Sequence, residues 1–302
     1  MPQKAAILAQ VQQRSLFDSQ APALARGIYV SLNRSSGSGV FGYPSSNRKN
    51  RGPICSENAP PDYDVAVDGR GNLIVPSPGS ITIFKGPGMC GRKLGSFHTI
   101  WYADYPADAT STDAASGTIA VAVVQDDASG LGSIELCTLK NNCTTNLLAG
   151  NFVFAVAMSK NGDCWASSAD PTALTYFKGC SGHLQVATGY ENTDGGGIDI
   201  DDHGNLVSIS CSVVSCSAPA LYVYSGCRPK CKKIGGPFPL QGASMYGHLN
   251  ENGTRFAAAD YEYGQVDVYT YTPTGITYLY SFNDGLAPGG RMGAAYNPRS
   301  EE

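Results

Sequence analysis

The chain has 302 residues, of which 36 are Gly and 18 Pro, and only 15% are charged. That balance lacks the Glu, Lys, Leu and Ala of long amphipathic helices and excludes a helical bundle. Aromatics at 10%, 17 of them Tyr, exclude a disordered chain. With 21 basic residues against 25 acidic, the net charge of −4 offers no basic face for nucleic acid. No run of eighteen apolar residues provides a membrane-spanning helix. The composition is that of an all-β globular protein.

Residues 1–26 read as an N-terminal extension, a short helix or a flexible segment, with apolar residues three and four apart over 5–17. They contain no apolar stretch of about 7–15 residues, so any secretory leader is expected to have been removed. From residue 27 onward the elements are strands. Gly27–Ser31 and Gly39–Tyr43 come first, with no strand before them to serve as an inner partner. Then a pattern recurs: a small or aspartate-bearing strand, a tight Asp/Asn-Gly turn, and a second strand of alternating apolar residues. It runs over Asp64–Val75, more loosely over Thr110–Val121, and again over Ala155–Ala166, Gly197–Ser208 and Tyr246–Ala257. The turn glycines Gly71, Gly117, Gly162, Gly204 and Gly253 are 46, 45, 42 and 49 residues apart. Third strands ending in aromatic residues follow at Ile81–Gly86, Leu174–Gly179, Leu221–Gly226 and Val266–Tyr271. Outer strands follow those at Lys93–Phe97, His183–Ala187 and Ile276–Phe282. At the far end, Arg291–Pro298 reads as an inner strand with nothing after it but the tail 299–302.

Four antiparallel strands per unit of about 45 residues describe a propeller blade. Five whole units, plus one whose inner strand is C-terminal and whose other strands are N-terminal, predict a six-bladed β-propeller over 27–298. Closing the ring with both chain ends would leave no exposed sheet edge. On the motif Val-Ala-Val-Asp-x-x-Gly-Asn-Leu-x-Val at 65–75 and its weaker copies, the chain resembles the NHL-repeat-type six-bladed propellers. That group is similar in architecture to regucalcin-like lactonases and streptogramin lyases. The likeness speaks to fold and carries little about function. The chain departs from the lactonases in lacking their metal-ligating Glu-Gly-Pro segment, Glu57 standing in Ser-Glu-Asn-Ala-Pro instead.

Ten cysteines in a Ser-, Thr- and Gly-rich chain indicate an oxidising compartment. The close spacings Cys211/Cys216 and Cys227/Cys231 would also tolerate zinc. Placed on the blades, the cysteines fall into five local pairs in sequence order: Cys55–Cys90, Cys137–Cys143, Cys164–Cys180, Cys211–Cys216 and Cys227–Cys231.

Propeller ligands sit at a channel mouth, ringed by the segments that lead into each innermost strand. Here those segments carry the carboxylates Asp64, Asp108, Glu191 and Asp194. Such oxygen donors, converging on one axis, would suit a hard cation, Ca²⁺ or Mg²⁺, if the protein uses a cofactor at all. Tyr63, Trp101, Tyr105, Phe154 and Tyr246 on the same segments would wall a pocket for a hydroxylated ligand. His248, on an innermost strand, is the candidate general acid or base, and Arg291 a candidate substrate clamp. Asp68, Asp113, Asp163, Asp201 and Asp202 sit in Asp-Gly-type turns and are read as turn residues. The expectation is a secreted, periplasmic or cell-surface monomer that binds a small molecule or a protein at its channel mouth. The alternative is a metal-dependent hydrolase of lactonase type, or a lyase, at the same place.

Overall fold

The computed structural model describes residues 27–32, 39–44, 52–57, 59, 63–86, 88–100, 109–111, 118–124, 130–138, 141–170, 172–191, 196–211, 216, 218–283 and 291–297. Within them the chain is strand throughout, apart from turns and one 3-10 turn at Lys178–Cys180. The N-terminal extension, the tail, Trp101, Tyr105, Asp108, Asp113 and Asp194 lie outside the described residues.

Strands β1 (Gly27–Leu32), β2 (Gly39–Pro44) and β3 (Cys55–Glu57) pair antiparallel. A four-stranded sheet follows: β4 (Ala66–Val67), β5 (Leu73–Ser77), β6 (Ser80–Phe84) and β7 (Lys93–His98). Next come β8 (Ala109–Ser111), β9 (Thr118–Val124), β10 (Leu131–Thr138), β11 (Asn141–Met158), β12 (Cys164–Asp170), β13 (Thr172–Phe177) and β14 (Gln185–Val186), hydrogen-bonded as one seven-stranded sheet. Two more four-stranded sheets complete the series. They are β15 (Ile198–Ile200), β16 (Leu206–Ile209), β17 (Ala220–Ser225) and β18 (Lys232–Pro239), then β19 (Ser244–Leu249), β20 (Arg255–Asp260), β21 (Gln265–Thr272) and β22 (Gly275–Phe282). The last strand, β23 (Arg291–Tyr296), returns to β1, with Ala295 opposite Tyr29, and gives the order β23-β1-β2-β3. The sheet shared by both chain ends is as the sequence predicts.

The blade count differs from the expected six. Five sheets form, four with four strands and one with seven. The cause is β11, whose 18 residues run without a break. Its first part pairs with β10 as far as Asn151, and from Asn151 onward it pairs with β12. Gly150 and Phe152, both at positive φ, bend the strand at this handover. Across the molecule β4, β8, β11, β15, β19 and β23 each lie against the next, and β23 lies against β4.

Burial follows the distance from this ring. β5 and β16 are buried at every position, whereas the outer strand β7 alternates between exposed and half-buried residues. Apolar clusters fill the spaces between sheets, the largest holding Trp165, Phe177, Tyr224, Phe256 and Tyr269. Buried phenols tie sheets to loops. The hydroxyls of Tyr29, Tyr224 and Tyr269 accept the backbone N–H of Cys90, Glu191 and Gln241. Trp165 Nε1 donates to Cys227 O at 2.6 Å, and Arg228 stacks over the indole while pairing with Asp163 at 3.0 Å.

The turn motif repeats in detail. The Asp68 carboxylate accepts the N–H of Arg70, the N–H of Asn72 and the Asn72 side-chain amide. Asp201 does the same with His203 and Asn205, and Asn250 Oδ1 caps Thr254 and Arg255. Each turn needs its fourth residue in the left-handed region, and Gly71, Gly162, Gly204 and Gly253 supply it at φ between 59° and 81°.

All five disulfides are present in the predicted pairing. Four close within one sheet or its adjoining loop. Cys55–Cys90 is different: Cys55 stands on β3, so this bridge joins the sheet of the chain ends to the next sheet, and is not internal to one blade.

Candidate functional site

The centre of the ring holds a histidine between two carboxylates. Asp64 leads into β4 and is 1% exposed. Its carboxylate crosses the face of β23 at Gly293, where any Cβ would collide with Asp64 Oδ1. Glycine at this position lets Asp64 reach past β23 to β19, where its Oδ2 meets His248 Nε2 at 2.9 Å. On the other side, Asp199 of β15 places Oδ2 3.6 Å from His248 Nδ1, an ion-pair distance rather than a hydrogen bond. That oxygen accepts the N–H of Leu249, and Oδ1 accepts the N–H of Ile200. Ser31 on β1 locks the third wall, accepting the Gly293 N–H and donating to the Tyr63 carbonyl, both at 2.8 Å. With His248 on Oδ2, Asp64 keeps Oδ1 buried and without a hydrogen-bond partner among the described residues.

Towards the lead-in end of the ring the expected aromatic residues meet. Tyr63 and Tyr246 lie 6.4 Å apart, and the Tyr246 hydroxyl donates to the Phe154 carbonyl. Tyr246 and Phe154 are 3% and 6% exposed, so they pack together more than they line an open mouth. At the opposite end, where the inner strands turn outward, a pocket of about 410 Å³ opens to solvent. Asp68, Ser159, Asp199, Asp201, Asn250 and Tyr296 are among its lining. Asp199 belongs to both features and connects the pocket to His248.

The sequence-derived candidates divide accordingly. Asp64 and His248, proposed for different roles, are hydrogen-bonded partners. Glu191 does not join them: it is exposed and pairs with Lys233 on the outer strand β18. Arg291 sits at the start of β23 opposite Leu32, which locates its backbone alone. Glu57 is on the outer strand β3, where burial pushes its carboxyl up to about 7. Asp201, Asp202 and His203 bring three possible ligand atoms within 4.8 Å of one another. However, Asp201 already accepts four donors, the Tyr271 hydroxyl included, so its role is the turn.

Asp199 is absent from the sequence-derived set, and aligned repeats would have found it. Two residues before each turn acceptor stand Ala66, Ala157, Asp199 and His248, so a polar pair interrupts a small-residue position.

The sheets and their closed ring define a β-propeller of all-β class. No family model matches the chain, and no curated protein matches its sequence. The fold is similar to the propeller in a nidogen/laminin complex, with a TM-score of 0.61, 11% identity, and 92% of this chain and 100% of that chain covered. It is also similar to a periplasmic gluconolactonase of Pseudomonas aeruginosa (TM-score 0.55, 12% identity, 90% and 98% covered). A putative 6-phosphogluconolactonase of Bacteroides fragilis is similar too (TM-score 0.54, 9% identity, 92% and 99% covered). At these identities the likeness concerns the fold.

Proposed function

We propose that this protein is a six-bladed propeller working outside the cytoplasm, and that its channel binds a small hydroxylated molecule at Asp64, His248 and Asp199. The observation that carries the ligand is Asp64 Oδ1, a buried acceptor without a partner among the described residues, on a carboxylate bonded to His248, whose other ring nitrogen faces Asp199 in the lining of the polar pocket. Leaving such an oxygen unpaired costs about 1–3 kcal/mol, which a ligand hydroxyl would recover. The count of six treats β11 as the outer strand of one blade and the inner strand of the next, in keeping with its two pairings and with the ring of inner strands. Five disulfides favour an oxidising compartment. No helix among the described residues is long and apolar enough to cross a membrane.

A second reading, lactone hydrolysis, draws on the 2.9 Å His248–Asp64 bond, the geometry of an oriented general base. His248 would take a proton from water as the oxygen adds to the lactone carbonyl. It would return that proton to the ring oxygen as the C–O bond breaks. Two of the fold neighbours are named as lactonases.

Calorimetric titration with sugars, polyols and aldonolactones, with ring opening followed by acid release at pH 7, separates the two readings. Binding without turnover, lost at least tenfold in Asp64→Asn and His248→Gln, is expected of the binding protein. Turnover abolished in His248→Gln marks the hydrolase. Binding unchanged in both variants would remove the site from the channel.

A further inference from the structure

A second pair of buried carboxylates lies away from the channel, on the face of the β19–β22 sheet that carries Ala258. Asp260 closes β20 and Asp267 lies on β21, both fully buried. The ladder sets Asp260 opposite Gln265 and Asp267 opposite Ala258, so the two aspartates are diagonal neighbours on one face. Their hydrogen bonds are lopsided in the same way. Asp260 Oδ1 accepts the N–H groups of Ala243, Glu262 and Tyr263. Asp267 Oδ1 accepts the Ser281 hydroxyl at 2.6 Å and the Gln265 amide at 2.9 Å. In both residues Oδ2 is buried with no partner among the described residues. No Lys, Arg or His among the described residues forms an ion pair with either one.

Two ionised carboxylates buried on one face repel each other and lose their hydration, and either a proton or a cation relieves that cost. We propose that Asp260 Oδ2 and Asp267 Oδ2 bind a hard divalent cation of the Ca²⁺ type. Ser244, opposite Asp260 and fully buried, adds a hydroxyl oxygen to the same face. Oxygen donors of this kind suit Ca²⁺, which accepts carboxylates, hydroxyls and carbonyls in flexible geometry. The ion would anchor the segment leading into β19, because Asp260 also holds Ala243 and Tyr269 holds Gln241. That strand carries His248. Burial, with the nearby Asp260 charge adding to it, pushes the Asp267 carboxyl up to about 7, so a proton competes with the ion for the same oxygens.

The test uses the full chain at pH 7.5, freed of metal with EDTA and then titrated with Ca²⁺. The expected result is one tightly held Ca²⁺ by elemental mass spectrometry. The melting temperature should rise by roughly 5 °C when Ca²⁺ exceeds Kd a hundredfold. Asp267→Asn and Asp260→Asn should lose both effects, and Asp64→Asn should keep them. If Asp64→Asn loses the ion while Asp267→Asn retains it, the ion belongs to the channel and the proposal fails. The proposal also fails if wild type neither binds nor responds to Ca²⁺, a result that needs no variant to fold. A proton would then bridge the pair. The unfolded Asp267 ionises near 4 and the folded one near 7. Stability would in that case be full below about pH 4, fall as the pH rises towards 7, and level off above it.

Discussion

At the scale of single residues, the same turn is built twice with unequal anchorage. Asp68 holds three donors, all from its own turn. Asp201 holds the equivalent three and also the Tyr271 hydroxyl from the neighbouring sheet, at 3.0 Å. Replacing either by Ala removes the acceptor of its turn amides. Asp68→Ala should cost about 2 kcal/mol and Asp201→Ala about 1 kcal/mol more, measured as the shift in urea midpoint at constant slope. Equal costs would mean that the Tyr271 bond contributes nothing. The turn function of these aspartates is legible in sequence because it depends on residues two to four positions away. The bond to Tyr271 is not, since it spans 70 positions and depends on how two sheets face each other.

Among the elements, β23 decides the shape of the site by what it lacks. Its Gly293 leaves the gap through which Asp64 reaches His248, and its amide is fixed by Ser31. Gly293→Ala would drive a methyl group into the Asp64 carboxylate. We expect a loss of about 3 kcal/mol together with loss of channel binding. Unfolding with calorimetric titration reads both, and an unchanged pair of values would show that Asp64 has another route. The pattern of alternating strands locates β23 and β19 well, because period-two alternation and turn glycines are local signals. It does not pair Asp64 with His248, since nothing in either segment says that one intervening strand is thin enough for the two side chains to meet. The fusion of two expected blades through β11 is hidden for a related reason: hydrogen bonding continues through the bend at 150–152, where sequence suggests a boundary.

Across the whole molecule, the disulfides are local in sequence yet unequal in effect. Cys55–Cys90 closes a loop of 35 residues between two sheets, whereas Cys227–Cys231 closes one of four. Loop-closure entropy gives about 4 kcal/mol for the first and about 2 kcal/mol for the second. Replacing both cysteines of each pair by Ser and comparing thermal unfolding should rank them in that order, and the reverse ranking would refute the role assigned to the inter-sheet bridge. That bridge stands beside the seam where the chain meets itself: β23 lies along β1, and the Asn297 N–H donates to the Gly27 carbonyl at 2.9 Å. The molecule therefore behaves as a bracelet fastened by a clasp, with a safety chain set a few links from the catch. Once the seam is fastened, no blade is first or last. A peptide tie across the seam, with the cut moved to an outward turn such as the one at Gly253, would preserve every pairing described and merely shift the clasp around the wrist.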